Sequence, residues 1–221
     1  MSNILVTGSG SGLGKLLFEK LKEHHNVIGY DIKDGHDIRK PEILTNELDV
    51  LINCASINGI DYLENLDDQL WDDVISTNVT GMMKMCRAYL PQLIKSKGTI
   101  LNIVSNAATV PLTASICYNV SKGAQKIMTA QMAKELGNKY GITVFSVSPN
   151  KLAGTGMSKY IEKQVCEKRG WTEEYAREYQ LKALLTHEET DPAELADFIV
   201  YLLQDKKHHK YLAGCDLNYG K

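Results

Sequence analysis

Short β-branched runs alternate with helical stretches along most of this chain, and that alternation limits its folds more than any other feature. Residues 4–7, 27–30, 50–53, 99–104 and 142–148 read as strands. They are the apolar runs of a sheet covered on both faces. Between them, residues 12–23, 41–48, 67–94 and 118–139 carry helical spacing and good helix formers. Strand-helix-strand order implies right-handed crossovers, hence an α/β, three-layer, doubly wound parallel sheet. With 221 residues, 43% of them hydrophobic, the chain is expected to fold as one domain over 1–221. The ligand crevice of such a sheet lies beyond the carboxyl ends of its strands, where the loops after residues 7, 30, 53, 104 and 148 would converge.

The first of those loops holds the glycines, Thr7-Gly8-Ser9-Gly10-Ser11-Gly12-Leu13-Gly14. Between a strand and a helix, missing side chains let backbone approach a pyrophosphate while the helix N-terminus faces its charge. Asp31 then closes the second strand, where a carboxylate can accept hydrogen bonds from the adenosine ribose hydroxyls and repel a 2′-phosphate. NAD(H) is therefore expected over NADP(H). Ser11 and Ile32 stand where a base would hold the extra phosphate, with Lys33 beside them.

Tyr118 and Lys122 stand four residues apart, so on a helix they share one face, and Ser105 precedes them by one element. A ketone accepting hydride develops negative charge on oxygen, and a positioned acid lowers that barrier. A phenol with pKa near 10 serves poorly in the reverse oxidation. Lowering it by about three units takes roughly 4 kcal/mol, which one ammonium at about 4 Å in an effective dielectric near 20 supplies.

These motifs together resemble the short-chain dehydrogenase/reductase family over nearly the whole chain. The glycine loop looks like its cofactor loop, Asn53-Cys54-Ala55-Ser56 like its Asn-Asn-Ala-Gly turn, and Asp37-Ile38 like its adenine-contacting Asp-Val pair. Asn78, Ser105, Tyr118 and Lys122 fall where the family keeps a catalytic tetrad, and Ser148-Pro149 resembles the segment against the nicotinamide, with Leu152 and Thr155 following. The resemblance implies a Rossmann fold and an NAD(H)-dependent oxidoreductase acting on a secondary alcohol or ketone. In it Tyr118 is the general acid/base, and Lys122 lowers its pKa and holds the nicotinamide ribose. Ser105 donates to the substrate oxygen, and Asn78 positions a water that passes protons from Lys122 to solvent. The alternatives are an NADP-dependent carbonyl reductase or a dinucleotide-binding regulatory protein without turnover.

The chain departs from the family in lacking a crossover helix after the second strand, which would open the adenine side to solvent. Cys54 and Ser56 replace Asn and Gly, and Asn150 replaces the Gly usual after Pro149. Residues 151–190 form a variable substrate lid in which Gly154 and Gly156 are candidate hinges. Met157, Tyr160, Ile161, Trp171, Tyr175 and Tyr179 offer its apolar and aromatic surface. Lys159, Lys163, Lys168, Arg169 and Arg177 tilt it toward a polar or anionic substrate.

A formal net charge of −2 gives no electrostatic case for nucleic acid, so a small-molecule carbonyl or alcohol is the expected partner. No apolar run is long enough to span a bilayer, and a cytoplasmic protein is expected. The five cysteines are scattered and read as reduced packing thiols, Cys117 included. The pairs His24-His25 and His208-His209 read as solvated surface rather than metal ligands, and no metal site is expected. The resemblance implies a homodimer or homotetramer pairing through the helices at 67–94 and 118–139, with a last edge strand at 211–217 nearby.

Overall fold

A computed structural model of the protein describes residues 1–204 and 206–220. Six parallel strands, β1 (Asn3–Thr7), β2 (Asn26–Tyr30), β3 (Val50–Asn53), β4 (Thr99–Ile103), β5 (Thr143–Pro149) and β6 (Asp216–Tyr219), form one sheet in the order β2-β1-β3-β4-β5-β6. The doubly wound α/β fold expected from the alternation is the observed one. Order reverses at β1, so the crevice opens between the carboxyl ends of β1 and β3.

Successive strand residues feed opposite layers, and both layers are packed with apolar side chains. Ile4, Val6, Val50 and Ile52 pack with Leu13 and Leu17 of α1 (Gly12–Leu21) and with Leu195 and Ile199 from a C-terminal helix, Pro192–Gln204. Leu5, Leu51, Ile100 and Val144 face the other way, toward Met85, Tyr89, Leu93 and Ala133. Leu5 and Leu51 are fully buried, and truncating either to alanine is worth ~2–5 kcal/mol.

The stretch 67–94, expected as one helix, is broken twice. It runs as α2 (Asp68–Ile75), a π turn (Ser76–Gly81), α3 (Met82–Ala88) and α4 (Leu90–Ser96). Pro91 explains the second break: it has no N–H to give the preceding turn, so it sits in the first turn of a new helix. The π turn carries Asn78, fully buried. After it come α5 (Ile116–Tyr140), α6 (Gly156–Arg169), α7 (Glu173–Lys182), α8 (Pro192–Gln204) and α9 (Lys206–His209).

Residues 41–48, expected helical, are not. The link from β2 to β3 holds only a 3-10 turn, Ile32–Asp34, so the crossover helix is missing as expected, and the rest runs irregularly. Side chains from neighbouring elements satisfy its backbone in place of a helical ladder. Glu42 N donates to the Tyr30 hydroxyl at 2.9 Å, Leu44 N to the Tyr89 hydroxyl at 3.0 Å, and Ser96 Oγ donates to Leu48 O at 2.7 Å. Tertiary partners outweigh local helix propensity here.

Two smaller expectations also shift. The last strand is Asp216–Tyr219, because residues 211–214 form a turn in which Gly214 takes φ +77°. His209 is 3% exposed rather than solvated, its ring between Thr99 Oγ1 at 3.1 Å and Leu202 O at 2.7 Å. Among the described residues no cluster could hold a metal ion, and no helix is long and apolar enough to cross a membrane.

Candidate functional site

Thr7, at the carboxyl end of β1, ties the two halves of the crevice. Its Oγ1 accepts the backbone N–H groups of Cys54 at 2.9 Å and Ala55 at 3.0 Å. Gly8 follows at φ +71°, and a Cβ there would stand 2.9 Å from the Ala55 backbone, so only glycine lets the two loops close on each other. Gly12, at φ +51°, has open space where its Cβ would be, at the start of α1. The Ser11 side chain makes no capping hydrogen bond, and the first turn of α1 holds no acid. That bare helix start suits an anionic group. Buried Asn53 Oδ1 and Ser56 Oγ are also without hydrogen-bond partners across the crevice. Bare helix start and orphaned acceptors together fit a phosphate-bearing dinucleotide.

Asp31 lies 7% exposed after β2. One oxygen accepts Gly10 N at 2.8 Å and the other Lys33 N at 2.9 Å, so the carboxylate braces the glycine loop. A Cβ on Gly10 would lie 2.7 Å from that carboxylate. Lys33 Nζ is turned to Gly10 O at 3.1 Å, and Ile32 is exposed. Asp37 is taken up by Arg39, whose backbone N and Nε both donate to it, and the guanidinium holds the carboxyl below its usual range. Ile38 is buried against Gly81.

The tetrad candidates come together below the ends of β3 and β4. Tyr118, Ser121, Lys122, Gln125 and Thr129 are buried along one face of α5, as i, i+3, i+4, i+7 and i+11 spacing requires. Ser105, after β4, accepts Ala107 N at 3.1 Å and donates to Asn106 Oδ1 at 3.3 Å, and it lies close enough to the Tyr118 phenol for its hydroxyl to turn and hydrogen-bond the ionised form. Lys122 Nζ reaches Ile103 O at 3.2 Å and Gln125 Oε1 at 2.9 Å. Asn78 is held by its side chain: Oδ1 accepts Ile57 N at 2.9 Å, and Nδ2 donates to Ile57 O at 2.8 Å and Ser121 Oγ at 3.0 Å.

One electrostatic expectation fails in the free chain. Burial, partly offset by the Ser105 hydrogen bond, pushes the Tyr118 phenol up to about 12 instead of lowering it. Burial also pulls the Lys122 ammonium down to about 8. Its Nζ lies 5.5 Å from the phenol ring centroid, and the hydrogen bonds above run to Ile103 and Gln125. Desolvation of both groups outweighs their coupling. Cys54, electrostatically coupled to both, is itself raised to about 12 by burial. The Cys117 thiol, also raised by burial, donates to Gly59 O at 3.2 Å and packs as expected.

Sequence reading missed the polar floor under these groups. Gln125 Nε2 donates to Asn78 O at 2.7 Å, Thr129 Oγ1 donates to Gln125 O at 2.8 Å, and Asn102 Nδ2 to Thr129 Oγ1 at 2.9 Å. Asn53 Nδ2 continues the chain to Asn102 Oδ1 at 2.9 Å. The signal was available: polar residues recur at three- and four-residue steps from Tyr118 on a face that should be apolar.

Past Pro149, Asn150 substitutes for backbone freedom with side-chain anchors, accepting Thr190 N at 3.2 Å and donating to Gly220 O. Leu152 bridges to Thr190, and Thr155 caps α6 through Ser158 N. Lys151, largely buried, gathers Glu162, Gln180 and Glu189, each at 2.6 Å, joining α6, α7 and the segment between α7 and α8. Val165, Ile161, Cys166 and Trp171 pack on Ile60 and Ala114, while Lys168 reaches Asp61 at 2.7 Å across the rim. Of the expected lid surface, Ile161 and Trp171 thus turn inward, but Tyr160, Tyr175 and Tyr179 are exposed.

The family profile described as short chain dehydrogenase matches residues 20–165. Glucose 1-dehydrogenase 2 of Bacillus subtilis is 28% identical, over 96% of this chain and 91% of that protein. In fold the chain is similar to an actinorhodin polyketide ketoreductase solved with NADPH (TM-score 0.86, 24% identity, 98% of this chain and 95% of that one). It is similar as well to an NAD+-bound xylitol dehydrogenase (TM-score 0.89, 20% identity, 100% and 98%).

Proposed function

The chain belongs to the short-chain dehydrogenase family, and from that premise we propose that it moves hydride between NAD(H) and a secondary alcohol or ketone, with Tyr118 as general acid/base. The family's members are nicotinamide-dependent dehydrogenases and reductases of alcohol and ketone groups. What supports the residue assignment is one observation: a buried phenol and a buried ammonium on one face of α5 both couple to Cys54, whose backbone N–H is held by Thr7 at the start of the glycine loop.

Gly8, Ser9, Gly10, Ser11, Gly12, Leu13 and Gly14 would hold the pyrophosphate. Asp31 and Ile32 would take the ribose, Asp37 and Ile38 the adenine, and Asn53, Cys54, Ala55, Ser56, Tyr118, Lys122, Pro149, Leu152 and Thr155 the nicotinamide half. When bound, nicotinamide supplies or accepts the hydride. The rest falls to side chains. In reduction Tyr118 gives its proton to the substrate oxygen as charge develops there, and Ser105 donates a hydrogen bond to the same oxygen. With the phenol raised to about 12, that proton is in place throughout the neutral range. Lys122, titrating near 8, is cationic at neutral pH and lowers the cost of the tyrosinate left behind. Asp31 favours NAD(H), because a 2′-phosphate would meet a carboxylate already fixed by Gly10 and Lys33.

The outward residues of α5, Ile116, Val120 and Ile127, are exposed and suit a homodimer or homotetramer. Free cysteines suit a reducing cytoplasm. Consumption of NADH and NADPH against a panel of aliphatic, aromatic and sugar ketones tests the function. Turnover faster with NADH is expected. Cofactor binding without turnover on any ketone would favour a regulatory dinucleotide-binding role instead.

A further inference from the structure

Lys122 is 2% exposed, and an ammonium so placed must find acceptors inside the protein. Ile103 O supplies one, and the other is a side chain with no assigned role, Gln125, also 2% exposed. The Gln125 amide has only one orientation that works here. An ammonium offers donors alone and must face Oε1, while a backbone carbonyl offers an acceptor alone and must face Nε2. Both contacts are short, 2.9 Å to Lys122 and 2.7 Å to Asn78 O. The far anchor is itself fixed, since Asn78 sits in the π turn with its side chain tied to Ile57 and Ser121. Behind it Thr129 donates to the Gln125 carbonyl and accepts from Asn102.

Resting on the dehydrogenase reading above, we propose that Gln125 is a positioning residue of this site, clamping the Lys122 ammonium to the Asn78 carbonyl and closing the proton route between them. A carboxamide presents one acceptor and one donor at fixed ends and cannot hand a proton through without becoming an imidic acid. Where the family resemblance puts a water between lysine and asparagine, this chain has a covalently held amide. Lys122 therefore acts as a fixed charge beside Tyr118, and its proton is not renewed past Asn78.

Four variants and two readouts test this. In 15N-lysine-labelled protein without ligands, the Lys122 ammonium signal, assigned by its loss in Lys122→Met, is titrated in wild type and in Gln125→Glu. A carboxylate in place of the amide should move the midpoint upward by about one unit or more; an unmoved midpoint overturns the clamp. For turnover on the best ketone of the panel above, Gln125→Ala leaves room for water between the ammonium and the carbonyl, whereas Gln125→Leu fills the gap with apolar atoms. The leucine variant should lose about tenfold or more in kcat, with KM for NADH little changed, and the alanine variant should lose several-fold less than the leucine one, because water can take up the freed hydrogen bonds. Equal kcat in Leu and Ala variants that both melt like wild type overturns the proposal. If Gln125→Leu does not fold, the Gln125→Glu titration decides alone. Absence of turnover in wild type, with the glutamate shift intact, would fail the dehydrogenase reading and leave the clamp standing.

Discussion

Lys122 Nζ sits 5.5 Å from the centroid of the Tyr118 ring, one helical turn along α5, and spends its short hydrogen bonds on Ile103 and Gln125. Two buried groups of opposite tendency thus face one crevice: a phenol that holds its proton and an ammonium that is ready to lose one.

The depressed lysine sets a sign for stability against pH. Folded Lys122 titrates near 8 and its ordinary value is 10.5, so between those values the unfolded chain binds more protons than the folded one. Stability therefore rises with pH in that window, by on the order of 3 kcal/mol for this group alone. Urea unfolding of wild type and Lys122→Met at pH 7 and pH 10 should show wild type gaining on the variant as pH rises. A constant difference would mean the ammonium is not desolvated.

Thr7 joins the glycine loop to the Cys54-Ala55 turn through two accepted N–H groups at a position 1% exposed. Thr7→Val keeps the shape and strands both donors, and should cost ~1–3 kcal/mol or more in denaturant unfolding. Thr7→Ser should recover most of the loss.

At Asp31, the carboxylate both braces Gly10 and presents charge to the ribose site. Asp31→Asn should weaken NADH binding and shift the NADPH-to-NADH affinity ratio upward by about tenfold, a change of ~1.4 kcal/mol. Fluorescence titration with the two reduced cofactors measures the ratio, and an unchanged ratio would remove Asp31 from cofactor choice.

Lys151 latches α6 to α7, with carboxylates of Glu162 and Glu189 and the Gln180 amide around a largely buried ammonium. Lys151→Met leaves those carboxylates without their shared partner. Hydrogen exchange in α6 and α7 should accelerate about tenfold while the strands stay protected. Equal protection in both proteins would show that Val165, Trp171 and Ala176 hold these two helices unaided.

Much of this was legible in the chain itself. Apolar-rich runs marked β1, β3, β4 and β5 because both faces of each are covered, and the glycines marked the crevice because Gly8 leaves no room for a side chain against Ala55. Residues 41–48 misled because their helix formers are overruled by two tyrosine hydroxyls from distant elements, a partnership that no local pattern carries. The Tyr118 and Lys122 spacing correctly put both side chains on one buried face. It could not weigh desolvation, which depends on how much protein closes over the pair. Gln125 was overlooked for a different reason: its role exists only through Asn78, which the π turn brings to it from another helix.

The central claim is that the Tyr118 hydroxyl delivers the proton. Tyr118→Phe, compared with wild type for NADH oxidation by the best ketone of the panel and for NADH binding, tests it most directly. The account predicts a fall in kcat of about 10²–10⁴-fold with cofactor affinity and melting temperature nearly unchanged. A phenylalanine variant that turns over like wild type would contradict it.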